Sequence, residues 1–133
     1  MSNVQTVQDI YSAFGRGDVP AILNHLADDV VWEYDKAESK IPWLMQRIGH
    51  AEVPKFFHAL GSVDFQKFEP KTMMEDGNIV VALIDVTFTV KETGISVVEE
   101  DEVHIWHFNA GGKVAKFCHK TDTYLHWAAI QKS

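Results

Sequence analysis

With 133 residues, 46% of them hydrophobic, the chain has the size and composition of one globular domain with a core of its own, and disorder is excluded. The formal charge is −7, from 12 basic and 19 acidic residues, and no lysine–arginine cluster interrupts it, which argues against nucleic acid and membrane surfaces as partners. The one cysteine, Cys118, excludes an internal disulfide and a cysteine-based zinc site. A lone cysteine, no leader pattern at residues 1–5 and no apolar run near the roughly 20 residues of a membrane span together lead to the expectation of a cytoplasmic protein.

The first third of the chain reads as helical. Val4, Val7, Ile10, Tyr11 and Phe14 recur at helical spacing, with Ser2 and Gln5 forming a capping box. Gly15 and Gly17 end that helix. Asp18 then caps a second, with Pro20 in its first turn and Ile22, Leu23 and Leu26 as its buried stripe. A short strand follows over 30–34, in which Trp32 and Tyr34 share a face. Residues 35–48 have no period and are expected to form a loop whose Trp43 and Met45 act as a lid, since long loops are usually functional. A third helix over 50–60 carries Val53, Phe56, Phe57 and Leu60 on one face.

The rest is β. A strand is expected over 65–75, bent or interrupted at Pro70, and Asp76-Gly77-Asn78 is a strong turn signal. The longest strand, 79–91, puts Val80, Ala82, Ile84, Val86, Phe88 and Val90 on one face. A turn at 92–94 leads to a strand over 95–108, and a last strand is expected over 113–124. Helices followed by antiparallel strands define an α+β domain over 1–133, with helices on one face of a curved sheet.

The last hairpin concentrates the chemistry. Between Glu102 and Thr123 it carries His104, His107 and His119, two carboxylates and Trp106 among apolar residues, more titratable groups than half-buried strands normally hold. With Ala110-Gly111 at the tip, Phe108 pairs with Lys113, Trp106 with Ala115, His104 with Phe117 and Glu102 with His119. His104, Trp106, Phe108, Ala115, Phe117 and His119 then share one face; Val103, Ile105, His107, Val114, Lys116 and Cys118 share the other. Glu102 would orient the His119 ring, and Asp101 would face Lys120. A bulge would shift this register. Asp122 has the other parity and reaches a cavity only if the strand bends. No His-Glu-x-x-His or same-helix histidine pair occurs, and His104 and His107 point to opposite faces, so neither metal nor cofactor is expected. His25, His50, His58 and His126 are expected at the surface.

In order along the chain, Gly17-Asp18, Leu26-Ala27-Asp28-Asp29-Val30-Val31-Trp32, Gly49, the phrase at 103–108, Gly112-Lys113-Val114 and Asp122-Thr123 resemble the nuclear transport factor 2-like superfamily, and the SnoaL-like branch most. That superfamily includes ketosteroid isomerases, scytalone dehydratase and SnoaL-type polyketide cyclases. The resemblance implies a cone-shaped fold in which three N-terminal helices pack on a strongly curved, mainly antiparallel sheet enclosing a pocket. By the same resemblance His104 lies where ketosteroid isomerases hold the protonated acid of an oxyanion hole, and Asp122 matches an acidic position of the SnoaL-like branch. Tyr34 stands where those isomerases carry their base. A phenol cannot shuttle that proton, so steroid isomerisation is not expected.

The expected function is a small cofactor-independent acid–base enzyme of cyclase, dehydratase or isomerase type acting on a small lipophilic carbonyl or polyketide-like compound. His119 or Asp122 would take the proton while His104, with Tyr34, stabilises the enolate. Trp32, Trp43, Trp106, Phe108 and Phe117 would form the substrate walls. The competing class is a non-catalytic module binding a hydrophobic ligand or a protein. A homodimer through the outer sheet face, where Val81, Val103 and Ile105 lie, is also expected.

Overall fold

A computed structural model describes residues 2–131. Ser2 opens the first helix, α1 (Asn3–Gly15), with the expected reciprocal box: its hydroxyl accepts from the Gln5 N–H and the Gln5 side chain accepts from the Ser2 N–H. Asp18 caps α2 (Val19–Leu23) by accepting from the Ala21 N–H. This helix is shorter than its apolar stripe implies, because Leu26 already begins β1 (Leu26–Trp32). The long loop ends in β2 (Arg47–Ile48), antiparallel to β1. Gly49 then starts α3 (Gly49–Ala59) at φ +82°, where a Cβ would press to 3.2 Å from the Asp28 carbonyl oxygen.

A short 3₁₀ turn (Leu60–Ser62) leads into β3 (Val63–Asp76), β4 (Ile79–Val90), β5 (Ser96–Phe108) and β6 (Val114–Lys120). The six strands form one curved, unclosed sheet in the order β2-β1-β6-β5-β4-β3, antiparallel except where β1 runs parallel to β6. The expected bend at Pro70 is a shift of register between Pro70 and Thr72. All six inward residues of β4, Val80 to Val90, are buried as their alternation requires. Each larger side chain among them stabilises the fold by about 1.5–3 kcal/mol. The helices close over this face and leave a cavity between.

Two departures from the sequence reading matter for that cavity. The last strand stops at Lys120 and a fourth helix, α4 (Thr123–Ile130), takes its place, because Asp122 accepts from the Leu125 N–H and caps a helix. The final hairpin is also offset by two residues from the expected register, with His104 opposite His119 and Trp106 opposite Phe117. A shift between His107 and Phe108 absorbs one residue of that offset and brings Val114 to the inner face opposite Phe108.

Candidate active site

The inward residues of β5 and β6 meet Tyr11 of α1 and the end of β1 at the floor of the cavity. Phe117 lies 4.2 Å, centroid to centroid, from both Trp32 and Trp106, giving one aromatic wall. Phe56 and Phe57 of α3 line the helical side, and Phe68 of β3 adds a further ring. Into this apolar space project His104 and His119, with ring centroids 4.3 Å apart and planes at 78°.

The donor inventory orders the hydrogen bonds around His104. The Trp106 indole N–H donates to the Tyr11 oxygen at 3.2 Å, which leaves the Tyr11 O–H to donate to His104 Nδ1 at 2.7 Å. The ring proton of neutral His104 then sits on Nε2, by assignment from its partners. That buried atom is 3.4 Å from Glu102 Oε2, too poorly aligned for a hydrogen bond. Burial depresses the His104 pKa, the neighbouring His119 charge depresses it further, and Glu102 only partly opposes them. Desolvation of its hydroxyl pushes the Tyr11 phenol above its ordinary value. For Glu102, burial would raise the pKa, but contact with His104 and the charges of His119 and His104 bring it down to about 2.

His119 has the opposite environment. Its backbone N–H donates to Glu33 Oε1 at 2.9 Å, and its ring Nδ1 bonds Glu33 Oε2. Burial would lower the His119 pKa, but the charge and hydrogen bond of Glu33 outweigh it and raise the pKa. Glu33, fully buried, is itself held ionised: burial pushes its pKa up, and His119 and Lys36, whose Nζ is 3.2 Å away, bring it down. Nε2 of His119 carries no hydrogen bond among the described residues. A buried carboxylate that fixes the tautomer of a histidine and leaves its far nitrogen to a pocket has the geometry that proton transfer requires.

Two local distortions create this arrangement. Glu33 adopts φ +57°, which breaks the alternation of β1 and turns the carboxylate inward directly after the inward Trp32. In β5 an extra residue at Asp101, φ +59°, forms a bulge against β4, anchored by the Asp101 N–H donating to Asp85 Oδ1 at 3.1 Å. Glu99 and Glu102, three apart, therefore both face inward. Glu99 bonds His126 Nε2, while Trp43 Nε1–H donates to His126 Nδ1 at 3.0 Å, tying the long loop and α4 to β5.

The structure brings His104 and His119 together beneath Trp32, Trp43, Trp106 and Phe117. Phe108 is buried but lies outside the cavity lining. Tyr34 is not at the cavity: the backbone reversal at Glu33 sends it to the outer face, where its hydroxyl meets His107 Nε2 at 3.2 Å and Lys116 stands over its ring. Asp122 is an exposed helix cap. Glu102 sits beside His104 instead of orienting His119, Lys120 pairs with Asp35, and Asp101 pairs with Lys71. His126, expected at the surface, is buried. Trp43 is a buried part of the loop, whereas Met45 is exposed. Tyr11 and Glu33 were missed as site residues. Tyr11 was legible as a polar tip on an apolar helix stripe, but nothing in the sequence marks Glu33, which strict alternation sends outward.

A cone of helices on a curved, open sheet, with an aromatic cavity between, is the nuclear transport factor 2-like class of fold. Residues 7–117 match the model of the SnoaL-like domain, and the chain belongs to that family. Among solved structures it is similar to an NTF2-like protein of unknown function from Burkholderia pseudomallei, with 29% identity, 98% of this chain and 99% of that one covered, and a TM-score of 0.81. The fold is also that of TerC co-crystallised with polyporic acid, at 24% identity, 96% and 97% coverage and TM-score 0.77. A Pseudomonas putida protein named as a candidate polyketide cyclase shares the fold at 18% identity, 98% and 99% coverage and TM-score 0.77. No curated protein matches the chain.

Proposed function

We propose that the protein is an acid–base enzyme for a small lipophilic carbonyl or polyketide-like compound. His119 Nε2 takes a proton from carbon next to the carbonyl. The His104 Nε2–H, backed by Tyr11 and Glu102, donates to the carbonyl oxygen as it gains negative charge. The observation that carries this reading is the pair of adjacent imidazoles in opposite electrostatic settings, one held basic by Glu33 and one held neutral by burial. The aromatic walls suit a lipophilic substrate and strengthen both interactions by excluding water. TerC, of the same fold, was co-crystallised with polyporic acid, which supports a ligand-binding cavity here.

The test is an NMR titration of the histidine rings in wild type, His104→Ala and His119→Ala, with and without a small enone. The His119 signal is expected to titrate above 6.5, to move when enone is added, and to report turnover that both variants lose. Rings that ignore the enone, in a protein that turns nothing over, would leave a binding module in place of an enzyme.

A further inference from the structure

We infer that Glu102, His104 and His119 form a site for a divalent transition ion of the zinc class inside the cavity. One ligand atom from each lies within 4.8 Å of the others. Small side-chain shifts close that spread onto the roughly 2.0–2.2 Å bonds that zinc makes to imidazole and carboxylate.

The nitrogens left over are the ones a metal needs. His119 commits Nδ1 to Glu33 and His104 commits Nδ1 to Tyr11, so each ring keeps Nε2. Nε2 of His104 is buried without a hydrogen-bond partner, beside the Glu102 carboxylate. A metal-bound histidine characteristically holds its other nitrogen in a bond that fixes ring and tautomer. Here Glu33 does this for His119 and the Tyr11 oxygen does it for His104. Loading moves the His104 ring proton to Nδ1, where it donates to the Tyr11 oxygen alongside the Trp106 N–H, while the Tyr11 O–H gives up that nitrogen and turns into the cavity it lines.

Two imidazoles and one carboxylate leave the ion's remaining positions open to the cavity. Glu102 supplies negative charge directly, and Glu33 supplies it through His119, offset in part by Lys36. A neighbouring trio, Glu99, Glu102 and His126, has the same spread but no free nitrogen: Trp43 occupies His126 Nδ1, and Glu99 with Thr121 occupies Nε2. An ion on both Nε2 atoms would also suppress the proton transfer at His119. That consequence rests on the proposed function; the binding itself does not.

The probe is Zn²⁺ titrated into the full, chelator-stripped chain against a chromophoric competitor, with Co²⁺ followed by its visible absorption. One ion per chain is expected. Affinity should fall at least about tenfold in Glu102→Gln and in His104→Gln, and about 10–100-fold in Glu33→Gln, whose carboxylate only supports His119. Glu99→Gln should bind as wild type does. Nitrogen-15 spectra of wild-type histidines keep the assignment testable should a variant fail to fold, since Zn²⁺ should move the Nε2 signals of His104 and His119. The inference is overturned by absence of binding at micromolar Zn²⁺, by binding that survives in the Glu102→Gln/His104→Gln double variant through exposed residues such as His58, by equal loss in Glu99→Gln, or by unmoved Nε2 signals.

Discussion

At the residue scale, the buried contact between Glu33 and His119 holds the proton affinity of His119 up. Glu33→Gln keeps a hydrogen-bonding oxygen near Nδ1 but removes the charge, so the His119 pKa should drop below that of wild type in an NMR titration. If His119 is the base, the rising limb of the pH–rate profile should move down with it. Stability should respond to pH in two windows. Because the His119 pKa is raised on folding, its contribution is full below about 6.5 and is lost as pH rises through the folded value. Glu102, brought from 4.5 down to about 2, contributes stability that is full above pH 4.5 and is lost as pH falls towards 2. Thermal melts across pH 2–9 on wild type and Glu102→Gln check both signs. His104 and His119 were legible as polar residues on an otherwise apolar hairpin. Glu33 was not, because a single left-handed residue reverses its side and no local residue pattern announces it.

Elements place these residues through irregularities more than through their regular parts. The bulge at Asp101 lets Glu99 and Glu102 both face inward, and the helix that replaces the end of the last strand brings in His126. Asp122 is the switch between strand and helix there. Asp122→Ala should cost about 1 kcal/mol in chemical denaturation, as loss of a helix cap does, and leave the His119 titration unchanged. A changed titration would return Asp122 to the catalytic set. Trp43→Phe keeps the ring against the core but removes the donor to His126 Nδ1. It should destabilise by about 1–3 kcal/mol and speed amide exchange in residues 35–46. The capping boxes and turns were legible because they are local: Ser2 with Gln5, Asp18 with Pro20, and Asp76-Gly77-Asn78 act within a few residues. The register of β5 on β6 was not, since a one-residue bulge at His107–Phe108 outweighs any charge pairing that the sequence suggests.

For the whole molecule, the outer sheet face has half-buried Val81, Leu83, Val103 and Ile105, and we propose that a second copy covers it. Sedimentation should give a dimer at micromolar concentration that Ile105→Glu converts to a monomer; a wild-type monomer would dismiss the idea. The sequence by itself determined the α+β class, the order of the first three helices and of the strands other than β2, the inward face of β4 and the hairpin in which the histidines lie. Those features follow from periodicity and caps, which act over a few residues and leave a written pattern. Tertiary structure alone decided that His104 stands opposite His119, that Glu33 is buried against His119 while Tyr34 turns to the outer face, and that His126 is buried. Each of these depends on a shift of register, a backbone reversal or a helix in place of a strand, settled by packing between segments far apart in the chain, such as Tyr11 against His104.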